Sequence, residues 1–181
     1  IEGREPPALG LCLPCRGRLR AAPPLDETPE ALDALRARFR YEPPLDAVVR
    51  ALKFRRLDYL GRHLGVEMAA SFGPELAAID AVVAVPLYWR RRWTRGFDQA
   101  EGIARALANA ADLPYVAALR RRRSTRPQTF RGKAERRVNL AGAFVVRPRV
   151  GVDGLSLALV DDVTTTGSTL SAAASALRAA G

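Results

Sequence analysis

The strongest hydrophobic pattern lies in residues 46–72. Val48, Val49 and Leu52, then Leu57, Leu60, Leu64 and Met68, recur at spacings of three and four. That period belongs to a helix with one apolar face. The pattern breaks near Phe54-Arg55-Arg56, so it predicts two helices. His63 lies beside the stripe and is given no role. Ile79-Asp80-Ala81-Val82-Val83-Ala84-Val85 is a short β-branched run ended by Pro86, which predicts a buried strand. Residues 87–98 read as a basic loop, and 99–111 return to helical spacing with Ile103, Ala104 and Leu107 on one face. Residues 143–146 and, more clearly, 155–160 predict strands. An Ala-rich helix follows at 168–180, with Gly181 where a C-cap glycine would stand. Before all of these, Pro6-Pro7, Pro23-Pro24 and Pro43-Pro44 mark an N-terminal segment, with one short helical stretch around 29–39.

Strands alternating with helices predict an α/β fold: a doubly wound, mainly parallel sheet flanked by helices. The expected division is a segment over 1–44 and an α/β domain over 45–181. Ile1-Glu2-Gly3-Arg4 matches a protease site built into expression tags and stays outside the fold reading. In doubly wound sheets, ligands sit beyond the carboxyl ends of the strands. The places to look are therefore just after Val85 and just after Val160.

After Val160 the chain reads Asp161-Asp162-Val163-Thr164-Thr165-Thr166-Gly167-Ser168-Thr169. An apolar strand delivers two adjacent carboxylates, and a loop of hydroxyls and one glycine opens a helix. Glycine permits a tight turn and close approach to a ligand. Helix-start N–H groups, backed by the helix dipole, hold phosphate. Two carboxylates can accept from a vicinal diol. Phosphate cradle and diol reader together describe a sugar-phosphate site. An N-cap alone explains the hydroxyls but not the acids. The chain has neither a GxxxxGK[ST] loop nor a GxGxxG fingerprint.

Composition is ordinary for a folded chain of 181 residues, with 48% hydrophobic and 27% charged. It excludes collagen-like, disordered and disulfide-scaffold classes. No apolar run approaches the ~20 residues that span a bilayer, so no membrane insertion is expected. Nor does the N-terminus show a secretory pattern, and a cytoplasmic location is expected. Charge changes the picture more. Lys+Arg number 29 against 19 Asp+Glu, a net +10, and only Lys53 and Lys133 are lysines. Guanidinium forks suit phosphates, of a metabolite or of a nucleic acid. Most of the excess falls after Pro86 and in 119–139, where nine basic residues face only Glu135. Single-stranded DNA is one partner such a stretch suits. Trp89, Trp93 and Phe97, four apart, suit either base stacking or packing. Cys12 and Cys15 form one CxxC, half of a four-ligand Zn²⁺ site.

The run from Val160 to Thr169 resembles the phosphoribosyl-pyrophosphate (PRPP) signature of type I phosphoribosyltransferases. Several further motifs are similar to the competence protein F (ComF, GntX-like) branch. They are Ala51-Leu52-Lys53-Phe54, Val85-Pro86-Leu87, Arg95-Gly96-Phe97-Asp98-Gln99-Ala100-Glu101, Thr125-x-x-Gln128, Arg136-x-x-Asn139 and Asn139-x-x-Gly142-Ala143-Phe144. They run in family order from about residue 45 to the end. The branch usually has Asn where this chain has Asp98. It also carries a second CxxC, implying Zn²⁺, and continues into another strand beyond the position of Gly181.

The resemblance implies a type I phosphoribosyltransferase-like fold and PRPP with Mg²⁺ as ligand. Asp161 and Asp162, as catalytic acids, would face the ribose hydroxyls. Thr164, Thr165, Thr166, Gly167, Ser168 and Thr169 would wrap the 5′-phosphate. Pro86 and Leu87 take the pyrophosphate-loop position, with Arg95 and its neighbours Arg90 and Arg91 on the leaving group. Thr125, Gln128, Arg136 and Asn139 would belong to a lid over PRPP or contact nucleic acid. The expected role is PRPP binding in the uptake of single-stranded DNA, with a competence helicase as partner. Two others stay open: transfer of phosphoribose to a nitrogen nucleophile with release of pyrophosphate, as in an amidophosphoribosyltransferase, and PRPP sensing.

Overall fold

The computed structural model describes residues 8–24, 28–55, 57–88, 96–122, 140 and 142–181. After a 3-10 turn at Ala8–Gly10, its first α-helix is a single turn, α1 (Leu13–Arg16). The apolar pattern of 46–72 becomes two helices as expected, α2 (Leu45–Phe54) and α3 (Tyr59–Leu76). α2 buries Leu45, Val48, Val49 and Leu52, the positions the spacing selects. α3 kinks at Phe72 (φ −114°, ψ 16°). Pro74 is the cause: it donates no N–H, and its ring collides with the carbonyl four residues earlier. α4 (Gln99–Ala110) starts where the Asp98 side chain accepts the Glu101 N–H. α5 (Ser168–Arg178) closes the chain.

Four strands are described: β1 (Ala81–Ala84), β2 (Leu119–Arg121), β3 (Phe144–Val146) and β4 (Leu157–Val160). β1 pairs with β4 in parallel, Ala84 opposite Val160. β2 pairs with β3 antiparallel, Leu119 opposite Val146. The two pairs are linked through Tyr115, which bridges Val82 in the parallel sense. The Val82 N–H donates to the Pro114 carbonyl, and the Val116 N–H donates to the Val82 carbonyl. The expected parallel pairing is present in β1–β4 and in the Val82–Tyr115 bridge, and the described strands add one antiparallel pair, β2–β3. β2 is the element that the sequence hid. Three residues with only Leu119 buried are too short for an alternation to show, and two of them are arginines.

Helices cover both faces of the β1–β4 pair, because neighbouring strand residues point to opposite sides. Val82, Ala84 and Val160 join a core with Leu52, Leu60, Leu64, Ile103 and Leu107 from α2, α3 and α4. Val83 and Val85 join a second core with Leu119, Phe144, Leu170, Ala173 and Leu177. Each fully buried large aliphatic side chain here contributes about 1.5–3 kcal/mol of transfer free energy. The stretch 29–39 departs from expectation and is turn and bend, not helix. On a helix Leu35 and Phe39 would share a face. Here Leu35 enters the second core, while Phe39 packs on the first and bridges Ala21. The N-terminal segment also joins the body, since Leu9 is 1% exposed in the first core. No helix among the described residues is long and apolar enough to cross a membrane.

Candidate functional site

Because β1 and β4 are parallel neighbours, their carboxyl ends release two loops side by side. The Val85 N–H still donates to the Val160 carbonyl (2.9 Å), so the pairing runs to the last strand residue. Asp161 and Asp162 follow at once. The Asp162 N–H donates to Asp161 Oδ1 (2.8 Å). Lys53 Nζ, from the last turn of α2, lies 2.9 Å from Asp162 Oδ2, with both side chains largely buried. Burial first, and the Asp162 charge second, push the Asp161 carboxyl up to about 7. The Asp162 N–H and Lys53 oppose that rise, and Asp98 adds to it.

The hydroxyl loop is tied internally. The Gly167 N–H donates to Thr164 Oγ1 (3.1 Å), and Thr166 Oγ1 shares a hydrogen bond with Ser168 Oγ (2.6 Å). The Ser168 N–H reaches Thr166 Oγ1 at 3.4 Å, and the Ser171 N–H donates to the Gly167 carbonyl at 2.8 Å. Gly167 has φ 69°, the left-handed region. A Cβ there would sit 2.7 Å from Pro29 Cγ and 3.0 Å from Leu35 Cδ2. Glycine is therefore demanded twice, by backbone and by the segment lying over the loop. Thr165 is exposed, and Thr169 is half-buried at the start of α5. Asp161, Asp162 and residues 164–169 are brought to one strand end, where the amino terminus of α5 favours an anion.

Pro86 and Leu87 lie on the adjoining loop after β1. The Leu87 N–H donates to Asp98 Oδ2 (2.8 Å), and Asp98 Oδ1 accepts the Glu101 N–H (3.4 Å). Asp98 is 6% exposed. It uses both oxygens to tie the loop after β1 to the start of α4, which gives this position a role that the sequence left open. A cavity of about 220 Å³ opens beside it, lined by Ala84, Pro86, Asp98, Glu101, Tyr115 and Arg147. A larger groove of about 730 Å³ runs along β4 past Leu157 and Leu159 and ends at Asp161, Asp162 and Thr164.

Arg95, Thr125, Gln128, Arg136 and Asn139 lie outside the described residues, as do Trp89, Arg90, Arg91 and Trp93. Phe97 is described, and it packs partly buried against the first core rather than standing free to stack on a base. Cys12 and Cys15 are free thiols at the start of α1. A hydrogen bond from the Cys15 backbone, then one from its thiol, pulls the Cys12 thiol down. No group of three or more His, Cys, Asp or Glu side chains placed to hold a metal occurs among the described residues.

The sequence places Lys53 in the family-like motif Ala51-Leu52-Lys53-Phe54 but assigns it no chemistry. A second signal is its rarity, as one of two lysines in a chain whose other basic side chains are arginine apart from His63. Only the fold shows that α2 delivers it to the acids.

No family model and no solved structure matches this chain. Curated relatives do match. It is 34% identical over 170 residues to the DNA utilization protein YhgH of Escherichia coli O157:H7, covering 91% of this chain and 71% of the relative. It is 35% identical over 172 residues to the protein of that name in Salmonella typhimurium, again covering 91% and 71%. It is 36% identical over 109 residues to competence protein F of Haemophilus influenzae, covering 59% of this chain and 48% of the relative. The chain belongs to the family of the DNA utilization protein YhgH and competence protein F.

Proposed function

We propose that this protein acts in DNA utilization and natural competence, and that it binds PRPP with Mg²⁺ on a type I phosphoribosyltransferase-like fold. The observation that carries the ligand reading is the grouping at the end of β4. Two adjacent acids, joined by the Asp162 N–H donating to Asp161 Oδ1, stand beside a glycine-bearing hydroxyl loop at a helix amino terminus. In this reading Asp161 and Asp162 accept hydrogen bonds from the ribose hydroxyls. The Thr164–Thr169 hydroxyls and N–H groups hold the 5′-phosphate. The loop at Pro86 and Leu87, held by Asp98, borders the pyrophosphate with Arg95. Mg²⁺ bound with PRPP would offset part of the pyrophosphate charge beside that loop.

The reading is tested by thermal unfolding. PRPP with Mg²⁺ at about 100 times its dissociation constant adds about 2.7 kcal/mol. For a chain of this size that raises the midpoint by about 5–10 °C. Ribose 5-phosphate and pyrophosphate given singly produce smaller rises. An unmoved midpoint with PRPP contradicts the reading. Release of pyrophosphate from bound PRPP when nitrogen nucleophiles are added would make the protein a transferase. PRPP binding without release makes it a binding or sensing module.

The names of the relatives and the basic run at 119–139 support a second contact, with single-stranded DNA. Fluorescence anisotropy is expected to show binding at low salt. Affinity should fall linearly on a log–log scale, by about 0.7 per phosphate contact. Replacing Arg126, Arg131, Arg136 and Arg137 by Gln should flatten that slope. Absence of binding at low salt removes the DNA contact and leaves the PRPP site standing.

A further inference from the structure

Lys53 lies far from the β4–α5 unit in sequence, yet it touches its second acid. Leu45, Val48, Val49 and Leu52 bury one face of α2 and fix the last turn that carries it. Leu52, its direct neighbour, is 1% exposed. The ammonium is 2.9 Å from Asp162 Oδ2, and the two side chains are 21% and 13% exposed. A contact this short between groups this well covered differs from a solvated surface pair. The residue type fits the place. An ammonium is a compact point charge with three donors, whereas a guanidinium presents a wide planar fork.

We propose that Lys53 is a positioning residue of the site: it pins the Asp162 carboxylate so that the two acids present fixed, separated oxygens to a vicinal diol. The proposal rests on the sugar-phosphate reading above. Its physical need is clear from the neighbours. Asp161 faces Asp162 beside it and Asp98 from the start of α4, both negative, and among the described residues Lys53 is the cation that offsets them there. Without that cation the adjacent carboxylates repel, and Asp162 has lost the ion pair that holds its rotamer.

Two variants and two readouts test this. Lys53→Met keeps the stem and removes the charge, and Lys53→Arg keeps the charge and changes the shape. Calorimetry with PRPP and Mg²⁺ at pH 7.5 is expected to show binding about ten-fold or more weaker in Lys53→Met, with Lys53→Arg between it and the wild type. The second readout needs no ligand: the carboxyl carbon shift of Asp161 is followed against pH. Loss of the ammonium should move its midpoint upward by about one unit in Lys53→Met, and Lys53→Arg should restore most of that. Wild-type affinity in Lys53→Met, or an unmoved Asp161 midpoint, overturns the proposal. If the wild type itself fails to bind PRPP, the sugar-phosphate reading falls. The Asp161 titration then decides by itself whether Lys53 governs the pair.

Discussion

Asp161→Asn is expected to make the protein more stable above pH 7 while removing its affinity for PRPP. In the folded chain the Asp161 carboxyl is pushed up to about 7, chiefly by burial and by Asp162. In the unfolded chain it titrates near about 3.9. The folded state therefore holds this proton more tightly than the unfolded state does. The sign follows from linkage: wild-type stability is lost as pH rises from about 4 through about 7, and the penalty is complete above that. Three units correspond to about 4 kcal/mol. Asp161 keeps some solvent contact, so about 2 kcal/mol is the expected size. Asparagine carries no such penalty and keeps an oxygen for the Asp162 N–H. Urea unfolding should show a gain of about 2 kcal/mol at pH 8.5 and little at pH 4.5. Equal gains at both would refute the buried-acid account. A site that costs stability and is kept for its ligand is the usual bargain at functional positions.

Gly65→Ala is expected to have the largest effect on folding outside the site. Gly65 lies in α3 where that helix presses on α4. A Cβ there would overlap the Ile103 carbonyl and sit 2.6 Å from Ala106 Cβ and 2.7 Å from the Leu107 nitrogen. Backbone cannot yield as a flexible side-chain tip can, so the helices must part. Overpacking on this scale costs about 3 kcal/mol, against a gain of about 1 kcal/mol in helix propensity. A net loss of about 2 kcal/mol lowers the unfolding midpoint by about 4–8 °C. Gly102→Ala is the control. It also lies in a helix, but a Cβ there meets nothing within 4 Å. That variant should gain about 0.5–1 kcal/mol. Similar midpoints for the two variants would show that α3 and α4 do not meet this closely.

The parts of the fold legible in the sequence are those with a long or clean period. α2 and α3 stand out because seven apolar positions repeat at three and four. β1 stands out because its residues are all buried, leaving an unbroken apolar run closed by Pro86. β2 is not legible, since three residues carry no period and its arginines look like loop. The stretch 29–39 misleads because Leu35 and Phe39 have helical spacing but serve different cores. The site shows the same division. Asp161, Asp162 and the hydroxyl loop are contiguous and can be read directly. Lys53 is more than a hundred residues away, and Asp98 acts by holding a backbone N–H on another loop. Both depend on where helices end in space, which no local pattern encodes.

Calorimetric titration of PRPP with Mg²⁺ into the wild type and into the Asp161→Ala/Asp162→Ala double variant tests the ligand reading most directly. Circular dichroism of both proteins confirms that α2 to α5 remain formed. Saturable binding by the wild type and none by the folded double variant is the predicted result. Equal affinity in the two proteins, or no binding by the wild type, would contradict a sugar-phosphate site at the end of β4.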